Sequence, residues 1–351
     1  MFRSTSALAG ALALGASLAA CGNGGGSSAT SATAVPPAAQ TPSPTTTSTD
    51  YATCARAYVP PVAAPPAGTA FCASLATMPD AQGNGSENGK ACRVRSAADI
   101  VREMGQGWNL GNTLDAYGNT ANPLADETQW GNPKTTKALV DAVRKAGFTT
   151  MRVPVSWDDH MSGSARTIDR AWLDRVEEVL RYALDDGMTV IVNIHHNNGW
   201  EAPTQANEAG AKDTLAKLWT QIATRLRAYD RHLVFEVMNE PRVAPNGVDD
   251  WVGRAEYYDV LNRLNAAALA AIRATGGNNA RRLVMIPTYA AAPDAQLDAL
   301  VLPADPMIAL SSHAYRPWSF AGDQKGTSVF TGQAELDQLF ARLDTKFVAK
   351  G

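Results

Sequence analysis

Leu233 to Pro241 reads Leu-Val-Phe-Glu-Val-Met-Asn-Glu-Pro, a run of apolar residues with a buried-strand pattern that stops at a proline. A carboxylic acid at such an end can have its pKa raised by partial burial and then protonate a leaving oxygen, which is the chemistry Glu240 offers. Asn239 beside it can hydrogen-bond a hydroxyl of whatever is bound. An acidic residue near a helix N-terminus has the same look, so the motif alone leaves both readings open. Glu236 shares a face with Glu240, but at about 3.3 Å per residue it lies roughly 13 Å deeper, where a carboxylate paired to a base is the better reading.

Other polar residues stand at the ends of similar apolar runs. Arg152 closes a run deep enough that a lone guanidinium would be costly, so it implies an acidic partner. His195 and His196 are adjacent, and consecutive strand residues point to opposite faces, whereas a catalytic zinc takes three protein ligands. With five histidines and neither a His-Glu-x-x-His nor a paired Cys-x-x-Cys motif, binding of sugar hydroxyls reads better than chelation, and no metal or organic cofactor is implied. His313 and Tyr315 share a parity, and a tyrosine hydroxyl there can hold a carboxylate in its ionised state. Trp108, Trp130, Trp157, Trp200 and Trp318 fall near the same ends or in the loops after them. Each alone reads as packing, but five in one set of loops point to a cleft where flat rings stack on sugars.

These residues need a frame that gathers strand ends. From about residue 95 the chain alternates short β-branched runs with longer segments of helical period. The spacing predicts strands near 107–110, 150–155, 189–195, 233–239, 283–288 and 307–313. Helices are predicted near 134–146, 171–186, 212–229, 256–274 and 334–350, several closing at Gly147, Gly187 or Gly276 where a left-handed cap is wanted. A parallel α/β architecture follows, either an open doubly wound sheet or a closed (β/α)8 TIM barrel. The barrel is favoured because it brings C-terminal strand ends to one mouth and because no glycine-rich phosphate loop is present. About six β/α units are counted, so residues 96–351 read as a barrel incomplete at its C-terminus.

Composition sets the outer bounds. A formal charge of -3 on 351 residues, with 45% hydrophobic residues, describes a globular chain with no basic field for nucleic acid. Residues 1–21 read as a signal segment: Arg3 supplies the positive charge, Ala7 to Ala20 is too short to span a bilayer, and Leu18-Ala19-Ala20-Cys21 resembles the lipobox of bacterial lipoproteins. Lipidation at Cys21 would place the protein outside the cell or on the outer-membrane surface, touching the membrane only through that anchor. Residues 22–50 are a Ser/Thr/Pro-rich linker, and residues 51–95 are a lead-in containing Cys54, Cys72 and Cys92, of which any two can pair in an oxidising compartment.

Six motifs in register carry a resemblance: Gly107-Trp108-Asn109-Leu110-Gly111-Asn112-Thr113-Leu114-Asp115, Trp130-Gly131-Asn132-Pro133, Arg152-Val153-Pro154-Val155-Ser156-Trp157, Ile194-His195-His196, Asn239-Glu240-Pro241 and His313-Ala314-Tyr315. The chain from about residue 95 onward resembles the cellulases of glycoside hydrolase family five. The resemblance implies an endoglucanase that cuts β-1,4-linked glucan by a retaining mechanism; a monomer is expected, though the sequence does not fix the oligomeric state. It makes Glu240 the acid/base, Asn239 its partner at the sugar 2-hydroxyl, and Arg152, His195, His313 and Tyr315 the supporting groups. Asn112, Asp115, Trp130 and His196 would bind glucan on the non-leaving side. Family members carry a glutamate nucleophile at the end of strand seven, which would come after Gly351, so the chain as written is expected to lack retaining activity. Glu335, the last glutamate, lies in a helical segment and is not given that role. Xyloglucan, mixed-linkage glucan or mannan are alternative substrates, and a glycan-binding lipoprotein without turnover is the alternative of another class.

Overall fold

The computed structural model describes residues 70–350 apart from 74, 76, 78–82 and 119–121. The lipobox with Cys21, the linker 22–50 and Cys54 lie outside the described residues. The described chain begins with an antiparallel hairpin, β1 (Asn84–Glu87) and β2 (Lys90–Arg93). It turns at Asn88 and Gly89, both at positive φ (50° and 74°), the conformation a two-residue hairpin turn requires. Of the three possible cysteine pairs the structure forms Cys72–Cys92, which fastens β2 to the segment before the hairpin.

Helix α1 (Ala97–Met104) starts at a capping box in which Ser96 and Asp99 satisfy each other's backbone amides. Then come β3 (Gly107–Asn109), α2 (Lys137–Lys145), β4 (Thr150–Val153), a small hairpin of β5 (Met161–Ser162) and β6 (Thr167–Ile168), and α3 (Arg170–Leu184). They are followed by β7 (Thr189–Asn193), α4 (Glu208–Leu226), β8 (Leu233–Glu236), α5 (Ala255–Ala274), β9 (Val284–Pro287), α6 (Ala295–Ala299), β10 (Ile308–Ser311), α7 (Trp318–Ala321) and α8 (Gln333–Lys346). Side chains of Thr136 and Asp169 cap α2 and α3. Gly147 and Gly187 follow α2 and α3 at φ 103° and 71°, the left-handed positions expected of them.

The six expected strands form one parallel sheet in the order β10-β9-β8-β7-β4-β3. All begin within a residue of expectation except that their C-terminal halves are shorter, because the chain leaves the ladder before the polar residues. That departure puts the candidate site in loops rather than on strands. Alternation along the strands sorts side chains into two layers. Met151, Val153, Val190, Val192, Phe235, Val284 and Ile286 face the helices and pack with Trp172, Val176, Leu215, Trp219 and Leu264. On the other face Ile191 and Val234 join Leu283 and Met307 against Ala97 and Ile100 of α1, which closes the bottom of the barrel. The architecture is that of a (β/α)8 barrel with six β/α units present.

One buried cation belongs to the frame. Arg282, with no exposed surface, donates to the carbonyls of Asp230 (2.8 Å), Leu233 (2.7 Å) and Tyr229 (2.6 Å), and to Asn279 Oδ1 (2.7 Å). It stacks 5.0 Å above the Phe235 ring, tying the start of β8 to the end of α4. Among the described residues no helix is long and apolar enough to cross a membrane.

Candidate active site

The inward residues at the strand ends build a polar floor. Arg152 on β4 donates from Nε to Glu236 Oε2 on β8 (2.9 Å), from Nη1 to Asn109 Oδ1 on β3 (3.0 Å) and from Nη2 to Asn239 Oδ1 (2.8 Å). Asn193 Nδ2 on β7 donates to the same Glu236 oxygen at 2.7 Å, and Ser311 Oγ on β10 donates to the other. Glu236 is 1% exposed, and these donors reach both of its oxygens. The acidic partner that Arg152 called for is therefore Glu236. Arg152 and Glu236 also hold the Asn239 side chain in one orientation at the level where a ligand would lie.

Glu240 lies four residues beyond Glu236, after Asn239 N has donated to Ile194 O (2.9 Å) and tied the two loops together. Glu240 Oε1 is 2.6 Å from His313 Nδ1, and Oε2 is 3.7 Å from Arg242 Nη1. The expectation of a raised pKa is not met. Burial does push it up, but the hydrogen bond and charge of His313, then the charges of Arg242 and Arg152, outweigh burial and hold the carboxyl below its ordinary value. Tyr315, whose ring is 6.5 Å from that of His313, is pushed up to about 12 by burial and by the Glu240 charge, and so keeps its hydroxyl proton.

On the β3–β7 side, Asn112 adopts a left-handed φ of 58° and its carbonyl accepts from Asn132 Nδ2 (3.0 Å). Three residues on, Asp115 Oδ1 accepts from Thr113 N at 2.8 Å, and burial raises its pKa. His195 and His196 do not point to opposite faces. The strand ends at Asn193, so both follow it in a loop, and their rings meet edge to face at 4.6 Å. His195 Nε2 is 3.9 Å from Asp115 Oδ2. Burial lowers the pKa of both imidazoles, to about 4 for His196, so each is neutral near pH 7 and presents one donor and one acceptor. His196 packs beside the rings of Trp130 (5.5 Å) and Tyr117 (5.4 Å). Asp115, His195 and His196 bring one ligand atom each within 4.8 Å of one another, a spacing that could also hold a metal ion. Cys72, Glu87 and Cys92 show a similar spacing, but their sulfurs are joined in the disulfide and offer no thiolate.

The tryptophans divide. Trp130 and Trp318 are 38% and 60% exposed, whereas Trp157 is wholly buried with Nε1 donating to Asn193 O (3.0 Å), and Trp108 packs against the main core. Trp157 thus cannot stack on a ligand, because Val155 and Trp157 turn inward beneath the loops. Trp200 is held by Nε1 donation to Asp158 at 2.8 Å. Three residues near the mouth were not singled out in the sequence. Tyr117 lies only two positions after Asp115, Arg242 directly follows Pro241, and Trp251 sits ten residues beyond, 50% exposed and under the Arg242 guanidinium.

Residues 114–351 match the family described as "Cellulase (glycosyl hydrolase family 5)". The chain belongs to glycosyl hydrolase family 5. It is 47% identical over 268 residues to the cellulase/esterase CelE of Acetivibrio thermocellus, an alignment covering 75% of this chain and 32% of that relative. It is 44% identical over 254 residues to endoglucanase A of Clostridium longisporum, covering 71% of this chain and 49% of that one. The chain thus spans about a third of the length of the first of these curated relatives and about half of the second. Among solved structures, a broad-specificity GH5-4 endoglucanase from Ruminococcus champanellensis with bound cellotriose superposes at a TM-score of 0.69 and 43% identity, over 73% of this chain and 78% of that one. The family 5 match begins at Leu114, so it takes in every strand from β4 onward with the loops that carry His195, His196, Glu240, His313 and Tyr315.

Proposed function

We propose that the full-length protein is an endo-acting hydrolase of β-1,4-glucosidic bonds in cellulose or related β-glucans, acting with retention and with Glu240 as acid/base. The observation that carries this reading is the Glu240 carboxylate at the barrel mouth, held by His313 at 2.6 Å, above a floor that fixes Asn239 through Arg152. The fraction of Glu240 that carries a proton, small near neutral pH because its pKa is held low, protonates the glycosidic oxygen, and the resulting carboxylate later takes a proton from water. Asn239 presents its amide to the 2-hydroxyl of the sugar under attack, and Tyr315, kept protonated, offers a hydrogen bond to an ionised carboxylate. Retention requires a second carboxylate about 5–5.5 Å away as nucleophile. Glu335 does not fill that place: it is on α8 and pairs with Arg316. Asn112, Asp115 and His196 supply neutral or buried hydrogen-bonding groups, and Trp130 an exposed ring, for the glucosyl units on the non-leaving side, while His195 stands with Arg152, His313 and Tyr315 among the supporting groups. Cellotriose bound to a relative of 43% identity supports a β-glucan oligosaccharide as the ligand.

For location, we propose an extracellular monomer anchored by lipid at Cys21 and separated from the barrel by the linker 22–50 and the lead-in 51–95. The Cys72–Cys92 disulfide supports an oxidising compartment. A panel of soluble polysaccharides, read by new reducing ends, tests the function. The full-length protein is expected to cut β-1,4-glucan and its Glu240→Gln form to lose about 100-fold or more. Equal activity in the Gln form, or no cleavage of any β-glucan, contradicts it.

A further inference from the structure

Arg242 makes four different contacts at once. Its Nη1 donates to the backbone oxygen of Glu240 at 3.0 Å and stands 3.7 Å from Oε2 of the same residue. Its Nη2 donates to Asp249 Oδ2 at 2.8 Å, and its guanidinium lies 4.1 Å over the Trp251 ring. The fork is therefore fixed on three sides, and a guanidinium so fixed holds a charge at one spot rather than over a volume. His313 engages the other oxygen of Glu240, so the carboxylate is gripped at both ends. Trp251 is itself fastened to the next loop: Gln296 Nε2 donates to Val252 O (2.9 Å), and Tyr289 Oη donates to Asp250 O (2.8 Å). Trp251 remains 50% exposed.

The sheet order gives this cluster its side. Asn112, Asp115 and Trp130 rise from the loop after β3 and His196 from the loop after β7, Glu240 follows β8, and the Arg242–Trp251 loop is bonded to Tyr289 after β9. A chain lying across the strand ends passes Glu240 between the two groups.

We propose that Arg242 is a positioning residue for Glu240, and that by fixing Trp251 it also sets a stacking surface for the sugar unit that leaves. The inference rests on the glucanase reading for the identity of that sugar, but not for the hold on Glu240. In this account Arg242 keeps the Glu240 carboxyl turned toward the glycosidic oxygen and tunes its proton affinity. The other titratable or charged groups facing Glu240 are Arg152 from β4, His196 from the loop after β7, and His313 and Tyr315 after β10.

Titration of the Glu240 carboxyl carbon by NMR in labelled full-length protein, with the resonance assigned by its loss in Glu240→Gln, reads the hold directly. Arg242→Gln is expected to raise the Glu240 midpoint by about one pH unit. Arg242→Lys, which keeps the charge but not the fork, restores part of that shift. Trp251→Ala retains the charge and leaves the midpoint nearer the parent, while the gain in calorimetric affinity from cellotriose to cellohexaose shrinks. An unmoved midpoint in Arg242→Gln, in protein whose melting curve matches the parent, overturns the positioning role. An undiminished gain for cellohexaose in Trp251→Ala overturns the stacking surface. If the midpoint moves and no oligosaccharide binds any form, the glucan reading has failed and the hold on Glu240 stands.

Discussion

Trp130 and Trp157 carry the same side chain 27 positions apart and have opposite fates, so truncating each separates ligand binding from packing. Trp130→Ala removes a ring that is 38% exposed at the mouth. It is expected to weaken cello-oligosaccharide binding by roughly 3–10-fold, the scale of one aromatic contact, with little change in melting temperature. Trp157→Ala empties a site with no exposed surface and is expected to destabilise the fold by about 3–5 kcal/mol. Calorimetric titration and thermal unfolding of both variants check the pair. Acid stability is also a residue-scale matter. His160, stacked 3.6 Å from Trp172, is lowered by burial to about 4 from the usual 6.5. The unfolded chain therefore binds a proton more readily than the folded one, so stability from this group is fully present above pH 6.5 and falls as pH drops toward 4, by about 3 kcal/mol. His160→Phe is expected to flatten that part of a stability–pH curve, and an unchanged curve counts against it. At this scale the sequence announced the groups that end strands, because a polar residue after an apolar run stands out. It did not announce Arg242 or Trp251, since only the folded loop brings the ring beneath the guanidinium. It also gave the wrong sign for the Glu240 shift, which depends on His313 from the loop after β10, Arg242 from the loop after β8 and Arg152 from β4.

At the scale of elements, the parallel strands and all five expected helices were legible within a few residues because their apolar periods stand out, and several end at glycine caps. The C-terminal thirds of the strands were not, since a proline or paired polar residues can equally follow a ladder or belong to one. That one-step error also misplaced His195 and His196 on opposite faces. The β1–β2 hairpin went unrecognised although Asn88-Gly89 is a strong turn signal, because its flanking residues are polar and show no buried alternation. With so little apolar surface, this hairpin depends on its cross-link. Breaking Cys72–Cys92, which spans a separation of 20 residues, is expected to cost about 3 kcal/mol on the loop-entropy scale. Hydrogen exchange on Cys72→Ser, Cys92→Ser protein should show the loss confined to residues 83–95, and full protection there would contradict it.

Over the whole molecule, the barrel joins its two layers through a few buried polar groups rather than through apolar packing alone. Arg282 bridges the end of α4 to the start of β8 through the carbonyls of Tyr229, Asp230 and Leu233 and through Asn279 Oδ1, so Arg282→Met removes all of these buried hydrogen bonds at once. A loss of about 3–5 kcal/mol is expected by urea unfolding, with oligosaccharide affinity unchanged in the fraction that stays folded. The barrel reading itself was available from the sequence because the polar residues cluster at one end of every strand, and only a closed arrangement brings those ends to one mouth. What makes that mouth a glucan-cutting site, in this account, is Glu240 acting on a bound sugar chain. The most direct test is the release of new reducing ends from a soluble β-1,4-glucan by the full-length protein and by its Glu240→Gln form, measured alongside cellotetraose affinity. Cleavage by the parent, a loss of about 100-fold or more in the Gln form, and cellotetraose affinity kept within a few-fold are expected. Cleavage at the parent rate by Glu240→Gln, with cellotetraose bound equally by both, would contradict that role for Glu240.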